Sequence, residues 1–167
     1  MTAPTKTAKR RPKPGIAIAV RPQYAALPYR VAETVEILLI TSRETGRWVI
    51  PKGWPMKTRT PAEAAAREAF EEAGVVGEIA QKPFGSYPYV KYLKSGLGRP
   101  CKVKVFPLLV IVQEEEWPEK HQRTAQWFAW ADAAAAVQEL RLGRIIRKFG
   151  KRAGRGASVG STPITPP

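Results

Sequence analysis

Along the chain, runs of apolar residues at strand spacing are interrupted by one helical pattern and followed by two more. Thr34–Ser42, TVEILLITS, is the clearest early strand, with Ile37, Leu38, Leu39 and Ile40 as a buried run. Before it, Ile16–Val20 and Gln23–Tyr29 read as short strands separated by Arg21-Pro22. A turn at Glu44-Thr45-Gly46 leads to a short strand over Arg47–Ile50. Val75–Ala80 and Gly85–Leu93, the latter with Tyr87, Tyr89 and Tyr92, are further strands, and SGLGRP at 95–100 is a loop. Lys102–Gln113 alternates through Lys102, Val103, Lys104 and Val105 and then turns wholly apolar, as an interior strand would. Pro107 predicts a bulge or an edge position there, because proline has no N–H to give the ladder. Glu114–His121 is an acidic loop carrying Trp117 and Pro118. After it come a short aromatic strand at Gln126–Trp130, an alanine-rich helix at Ala131–Leu140 and a basic helix at about Arg141–Phe149.

The interrupting helix lies within Pro51–Val75, PKGWPMKTRTPAEAAAREAFEEAGV. Thr60 is placed to cap it, Pro61 suits its first turn, Glu63 completes a capping box and Gly74 stops it. Glu68, Glu71 and Glu72 fall at i, i+3 and i+4 on one face. Ala62, Ala66, Ala69, Phe70 and Ala73 make the opposite face, expected to be buried. Strands before and after an embedded helix, with more helix late, indicate a mixed α/β sandwich. The absence of regular strand–helix alternation disfavours a doubly wound parallel sheet. No G-x-G-x-x-G and no P-loop lysine motif is present; Lys52-Gly53 lacks the upstream glycine and the following Ser or Thr.

Charge divides the chain. The net charge is +14, but Lys6, Lys9, Arg10, Arg11 and Lys13 at one end, and Arg141, Arg144, Arg147, Lys148, Lys151, Arg152 and Arg155 at the other, leave only +2 on residues 15–140. The expected organisation is a basic disordered tail at 1–14, one domain at 15–150 and a flexible tail at 151–167. The basic ends suit weak electrostatic contact with nucleic acid or an acidic surface, or serve only as solvated tails. Within the first of them, KRRPK reads as a targeting address or as part of a tail. Cys101 stands alone, which excludes an intrachain disulfide framework and a cysteine metal cluster, and fits a cytoplasmic location. No apolar run approaches the roughly 20 residues that span a bilayer, so no membrane partner is expected. Oligomeric state is left open.

Three carboxylates on one helix face repel one another unless a cation lies among them. Hard oxygen ligands at that charge density suit Mg²⁺, or Mn²⁺, better than Zn²⁺. Arg67, four residues before Glu71, is placed to orient it. The alternative is a solvated acidic face, and spacing decides between them. Gly53, Arg67, Glu68, Ala69, Glu71, Glu72, Gly74 and Val75 resemble the Nudix signature G-x5-E-x7-R-E-U-x-E-E-x-G-U, with eight of nine specified positions matched when Ala69 is accepted as a small U. The ninth departs: Arg59 stands where the family has Glu, which leaves the number of metal ions open.

That resemblance implies a Nudix-type α/β/α sandwich with a mixed sheet and Mg²⁺-dependent hydrolysis of a diphosphate linked to another group. It implies Glu68 and Glu72 as metal ligands and Glu71 as a further ligand or as the base that activates water, with Glu68 and Arg67 also in the catalytic set. Over Gln23–Leu140 the chain is similar to the diphosphoinositol polyphosphate phosphohydrolases and diadenosine polyphosphate hydrolases, through QYAALPYR, ITSRETGRWVIPKG and EEEWPEKHQRTAQWFAWADAAAAV. The departures are Lys52-Gly53-Trp54 in place of a glycine triplet, and Gln126 where Glu is common. Candidates to grip a polyphosphorylated small molecule are then Arg30, Ser42, Arg43, Gly53 and Arg123, with Lys52 suggested locally and Lys102 and Lys104 as further cations. Trp54 could stack on a base, His121 reads as an exposed loop residue, and Arg59 is expected to contact substrate phosphate at the mouth of the site. The rival functions are a non-catalytic phospholigand- or RNA-binding module and a hydrolase of RNA 5′ ends.

Overall fold

The computed structural model describes residues 18–158. Its strands are β1 (Arg21–Val31), β2 (Val35–Thr41), β3 (Trp48–Val49), β4 (Lys52–Gly53), β5 (Val75–Ile79), β6 (Gly85–Tyr92), β7 (Gly98–Gln113) and β8 (Ala125–Ala129). The helices are α1 (Pro61–Ala73), α2 (Trp130–Ala136) and α3 (Leu140–Ser158), with a 3-10 turn at Lys120–Gln122. All eight strands join one mixed sheet along the path β3-β2-β1-β7-β5, with β4 on β1, β6 on β7 and β8 on β2. The β1–β7 pair is parallel and its neighbours are antiparallel.

Alternation along the central strands divides the core in two. Ala25 and Leu27 of β1, Ile37 and Leu39 of β2, and Val103 and Val105 of β7 pack with Leu142, Ile146 and Phe149 of α3 and with Ala133 of α2. Their sequence neighbours Ala26, Leu38, Ile40, Phe106 and Leu108 face the other way, onto Ala62, Ala65, Ala69 and Ala73 of α1. This is the α/β/α sandwich, with α1 alone on one face. No described helix is long and apolar enough to cross a membrane.

Several expected boundaries move. Of the two short early strands only the second is found, lengthened to β1, which starts at Arg21 and runs through Pro22; residues 18–20 are exposed and not in a strand, and residues 16 and 17 lie outside the described residues. The expected loop at 95–100 is shortened because β7 starts at Gly98 and pairs with Tyr92. Pro107 is neither on an edge nor at the bulge, which falls opposite Val76 and Gly77. It sits on central β7 between the last β6 pair, Gly85 with Val105, and the last β5 pair, Ile79 with Leu108, so its missing N–H falls where one partner strand hands over to the next.

The last helix is longer than expected. Residues 151–158, assigned from sequence to a flexible tail, continue α3; the tail residues 1–14 and 159–167 lie outside the described residues. Phe149 and Ala153 pack on the core and Gly150 lies directly against the Trp130 ring. That packing outweighs the roughly 1 kcal/mol penalty a glycine carries in a helix.

Candidate active site

The caps of α1 are those its sequence predicts. Thr60 Oγ1 accepts from the Glu63 N–H at 3.2 Å and Glu63 accepts from the Thr60 N–H at 2.7 Å. Gly74 closes the helix at φ 68°, its N–H directed to the carbonyls of Ala69 and Phe70. The buried face is turned from the expected one: Ala62, Ala64, Ala65, Ala69 and Ala73 are buried, whereas Ala66 and Phe70 flank an outer cleft. The turn carries Glu72 inward, to 8% exposure.

Each helix acid therefore has a different setting. Glu72 Oε1 accepts from Arg123 Nη2 at 2.9 Å, and Oε2 from the Lys52 backbone N–H at 3.2 Å. Burial raises its pKa, opposed by Arg123 and Lys52. Glu71 Oε1 accepts from Arg67 Nε at 2.6 Å, the pairing that the four-residue spacing predicts. Glu68 makes no hydrogen bond or ion pair with another side chain among the described residues. Burial, reinforced by Glu72, Glu71 and Glu119, pushes its pKa up to about 7. Gly53 makes room for it, since a Cβ there would lie 1.9 Å from Glu68 Oε1.

A polar cavity of about 60 Å³ reaches Glu72 and is lined also by Gln23, Ser42, Arg43, Lys52, Lys91 and Arg123. Arg123 organises it, donating to Glu119 at 2.6 Å and to the Thr41 carbonyl at 3.1 Å as well as to Glu72. Lys52 Nζ lies 4.4 Å from the centre of the Tyr89 ring, and burial lowers its pKa against the pull of Glu72. Tyr89 also lines a neighbouring cavity of about 700 Å³ with Arg47, Tyr92, Lys102 and Glu139.

Of the expected ligand contacts, Ser42, Arg43, Lys52 and Arg123 are brought together in the polar cavity, with Gly53 behind Glu68. Lys102 lines the larger cavity, and Lys104 is exposed and lines neither. Arg30 is elsewhere: it pairs with Glu36 at 2.5 Å and its guanidinium stacks 4.2 Å from the Trp127 ring centre. Arg59 is not at the mouth of this cavity but in the outer cleft of α1, beside Glu63, Ala66, Arg67 and Phe70. Trp54 is partly buried, with Lys91 Nζ 5.4 Å from its ring centre, and His121 is exposed.

Sequence patterns missed four residues. Gln23 is 1% exposed, lines the polar cavity and has a buried Oε1 without a partner. Lys91 and Tyr89 arrive on β6. Glu119 comes from the acidic loop, which closes onto α1 through its own N–H to the Glu71 carbonyl at 3.0 Å. Only Glu119 left a signal, the acidic run of which it is part.

No three His, Cys, Asp or Glu side chains among the described residues converge as a ready metal cage. The donor set nevertheless fits a hard divalent cation. Glu68 is partly buried and unpaired, and Arg67 and Arg123 each engage one oxygen of Glu71 and Glu72 while leaving lone pairs on the other.

The NUDIX domain family model matches residues 21–149. Nudix hydrolase 17, mitochondrial, of Arabidopsis thaliana is 33% identical over 110 residues, covering 66% of this chain and 58% of that protein. Diphosphoinositol polyphosphate phosphohydrolase 3-beta of Bos taurus is 32% identical over 117 residues, 68% of this chain and 67% of that one. In fold, a C. elegans Ap4A hydrolase binary complex superposes with a TM-score of 0.60 at 22% identity, over 80% of this chain and 98% of that one. The chain belongs to the Nudix family. It spans between about half and two-thirds of the length of the curated plant relatives it matches.

Proposed function

We propose that this chain is a Mg²⁺-dependent Nudix pyrophosphohydrolase, with Mn²⁺ as a substitute, that cleaves a phosphoanhydride bond in a polyanionic small molecule. The substrate class is a diadenosine polyphosphate, a diphosphoinositol polyphosphate or a related nucleotide. The observation that carries this reading is the junction of two opposite charge sets: Arg43, Lys52, Lys91 and Arg123 line a cavity that reaches the carboxylate Glu72 on α1, which also carries Glu68 and Glu71. Cations alone would bind phosphate, and acids alone would repel it.

Glu68 and Glu72 would hold the metal, with Glu71 as a further ligand or as the base. Bound there, the cation would shield the phosphate oxygens and lower the pKa of the attacking water. Arg67 fixes the Glu71 carboxylate, and Arg123 holds Glu72 in place and opposes the upward pKa shift that its burial causes. Ser42, Arg43 and Lys52, which line the cavity, would bind and orient phosphate oxygens. Phosphate release from dinucleoside polyphosphates, inositol pyrophosphates, nucleotide sugars and triphosphates, with and without Mg²⁺, tests this. Metal-dependent release from one class supports it; no release from any overturns it.

A second reading is a module that binds the same ligands without cleaving them, favoured by the arginine pairs on Glu71 and Glu72 and by Arg59 in the signature. Tight ligand binding without hydrolysis in that screen would select it.

A further inference from the structure

Outside the cavities described so far, α3 carries the densest charge. Arg144, Arg147, Lys148, Lys151, Arg152 and Arg155 lie at i, i+3, i+4, i+7, i+8 and i+11, so they form one stripe about 16 Å long. All six are exposed, α3 contains no acid, and none of the six makes an ion pair among the described residues. Such a one-signed exposed stripe attracts a polyanion laid along it.

An aromatic cleft of about 580 Å³ adjoins the stripe. Tyr29, Phe84 and Phe149 line it, with Lys82 and Arg152 at the same cleft, and it shares no lining residue with the cavity at Glu72 or the larger one beside that. Phe149 meets the Tyr29 and Phe84 rings edge-on at 4.7 and 5.4 Å, and Lys148 Nζ lies 5.7 Å from the Phe84 ring centre. Tyr29 and Phe84 are partly exposed. One acid, Glu78, borders the adjoining end of the groove.

We propose that this surface binds single-stranded nucleic acid, the phosphates following the α3 stripe and an unstacked base entering the cleft against Phe84 and Tyr29. A cationic track beside exposed rings is the combination that single strands recognise, because every unpaired base offers a face to stack on. An anionic membrane is the weaker partner. The apolar side of α3, Leu142, Ile146 and Phe149, is already buried against the sheet and cannot insert. A duplex matches the stripe but not the cleft, since its bases are already stacked. The inference is independent of whether the α1 site hydrolyses its ligand.

Fluorescence anisotropy with a labelled single-stranded RNA, read over a series of salt concentrations on the full chain, tests this. The wild type binds, with affinity falling steeply as salt rises. The triple variant Lys148→Ala, Lys151→Ala, Arg152→Ala, which keeps helix-favouring side chains, binds at least 10-fold more weakly at low salt. Its log–log salt slope is shallower by about 2, the value for three lost phosphate contacts. Phe84→Leu keeps an apolar contact on Phe149 and weakens binding several-fold with the slope unchanged. Undetectable binding by the wild type, unchanged binding by the triple variant, equal affinity for the matching duplex, or stronger capture by phosphatidylserine vesicles than by RNA would each overturn the proposal.

Discussion

Arg123 and Glu72 are 8% and 11% exposed at their side chains, and neither can lose the other cheaply. Arg123→Met leaves the Glu72 charge buried and costs on the order of 3 kcal/mol. Because Arg123 lowers the pKa of a carboxylate that burial already raises, its loss raises that pKa further. A carboxylate whose pKa is higher folded than unfolded destabilises the fold as pH rises past the unfolded value. The deficit in urea melts therefore grows as pH rises above the usual carboxylate range and shrinks as pH falls back toward it; a pH-independent deficit would refute the mechanism. Gly53→Ala acts differently, since its Cβ would displace the Glu68 carboxylate end and no backbone atom is among its nearest contacts. It should reduce turnover at least 10-fold with Tm nearly unchanged. Glu68, with its pKa near 7, must lose a proton to take a cation. Mg²⁺ affinity should accordingly rise with pH and level off above about 7, and calorimetry in buffers of different ionisation enthalpy should show proton release near pH 6.5. Arg59→Glu, outside the cavity, should leave KM unchanged.

At the scale of elements, α1 shows what local pattern can and cannot reveal. Thr60, Pro61, Glu63 and Gly74 are adjacent in sequence to the turns they cap, so both helix ends are legible. Its rotation is not, because alanine occurs on several faces and only β1, β2 and β7 decide which side is covered. Pro107 and the length of α3 escape local pattern for the same reason: strand handover and packing on Trp130 are contacts between segments remote in sequence. Thr60→Ala should cost about 1 kcal/mol by loss of the cap. Gly74→Ala should cost more, because φ is 68° and a Cβ would lie 2.5 Å from the Trp117 ring. Chemical denaturation gives that order; equal losses would mean that the loop over Gly74 yields freely.

Across the whole molecule, the three α1 acids are legible in the sequence, and so are Ser42, Arg43, Lys52 and Arg123 of the cavity beside them, but the rest of that cavity is not. Glu68, Glu71 and Glu72 belong to one helix, whereas Gln23, Tyr89, Lys91 and Glu119 come from β1, β6 and the loop before β8. Parallel pairing of β1 with β7 and antiparallel pairing of β6 with β7 bring Gln23 and Lys91 to one end of the sheet. The central claim is that the α1 acids turn this cationic cavity into a hydrolytic site. It is tested most directly by the Mg²⁺-dependent rate of phosphate release from a dinucleoside polyphosphate or inositol pyrophosphate by wild type, Glu71→Gln and Glu72→Gln, each shown to be folded by circular dichroism. The account predicts turnover by the wild type and a loss of at least 100-fold, about 3 kcal/mol, in both variants. Turnover at the wild-type rate in both would contradict it.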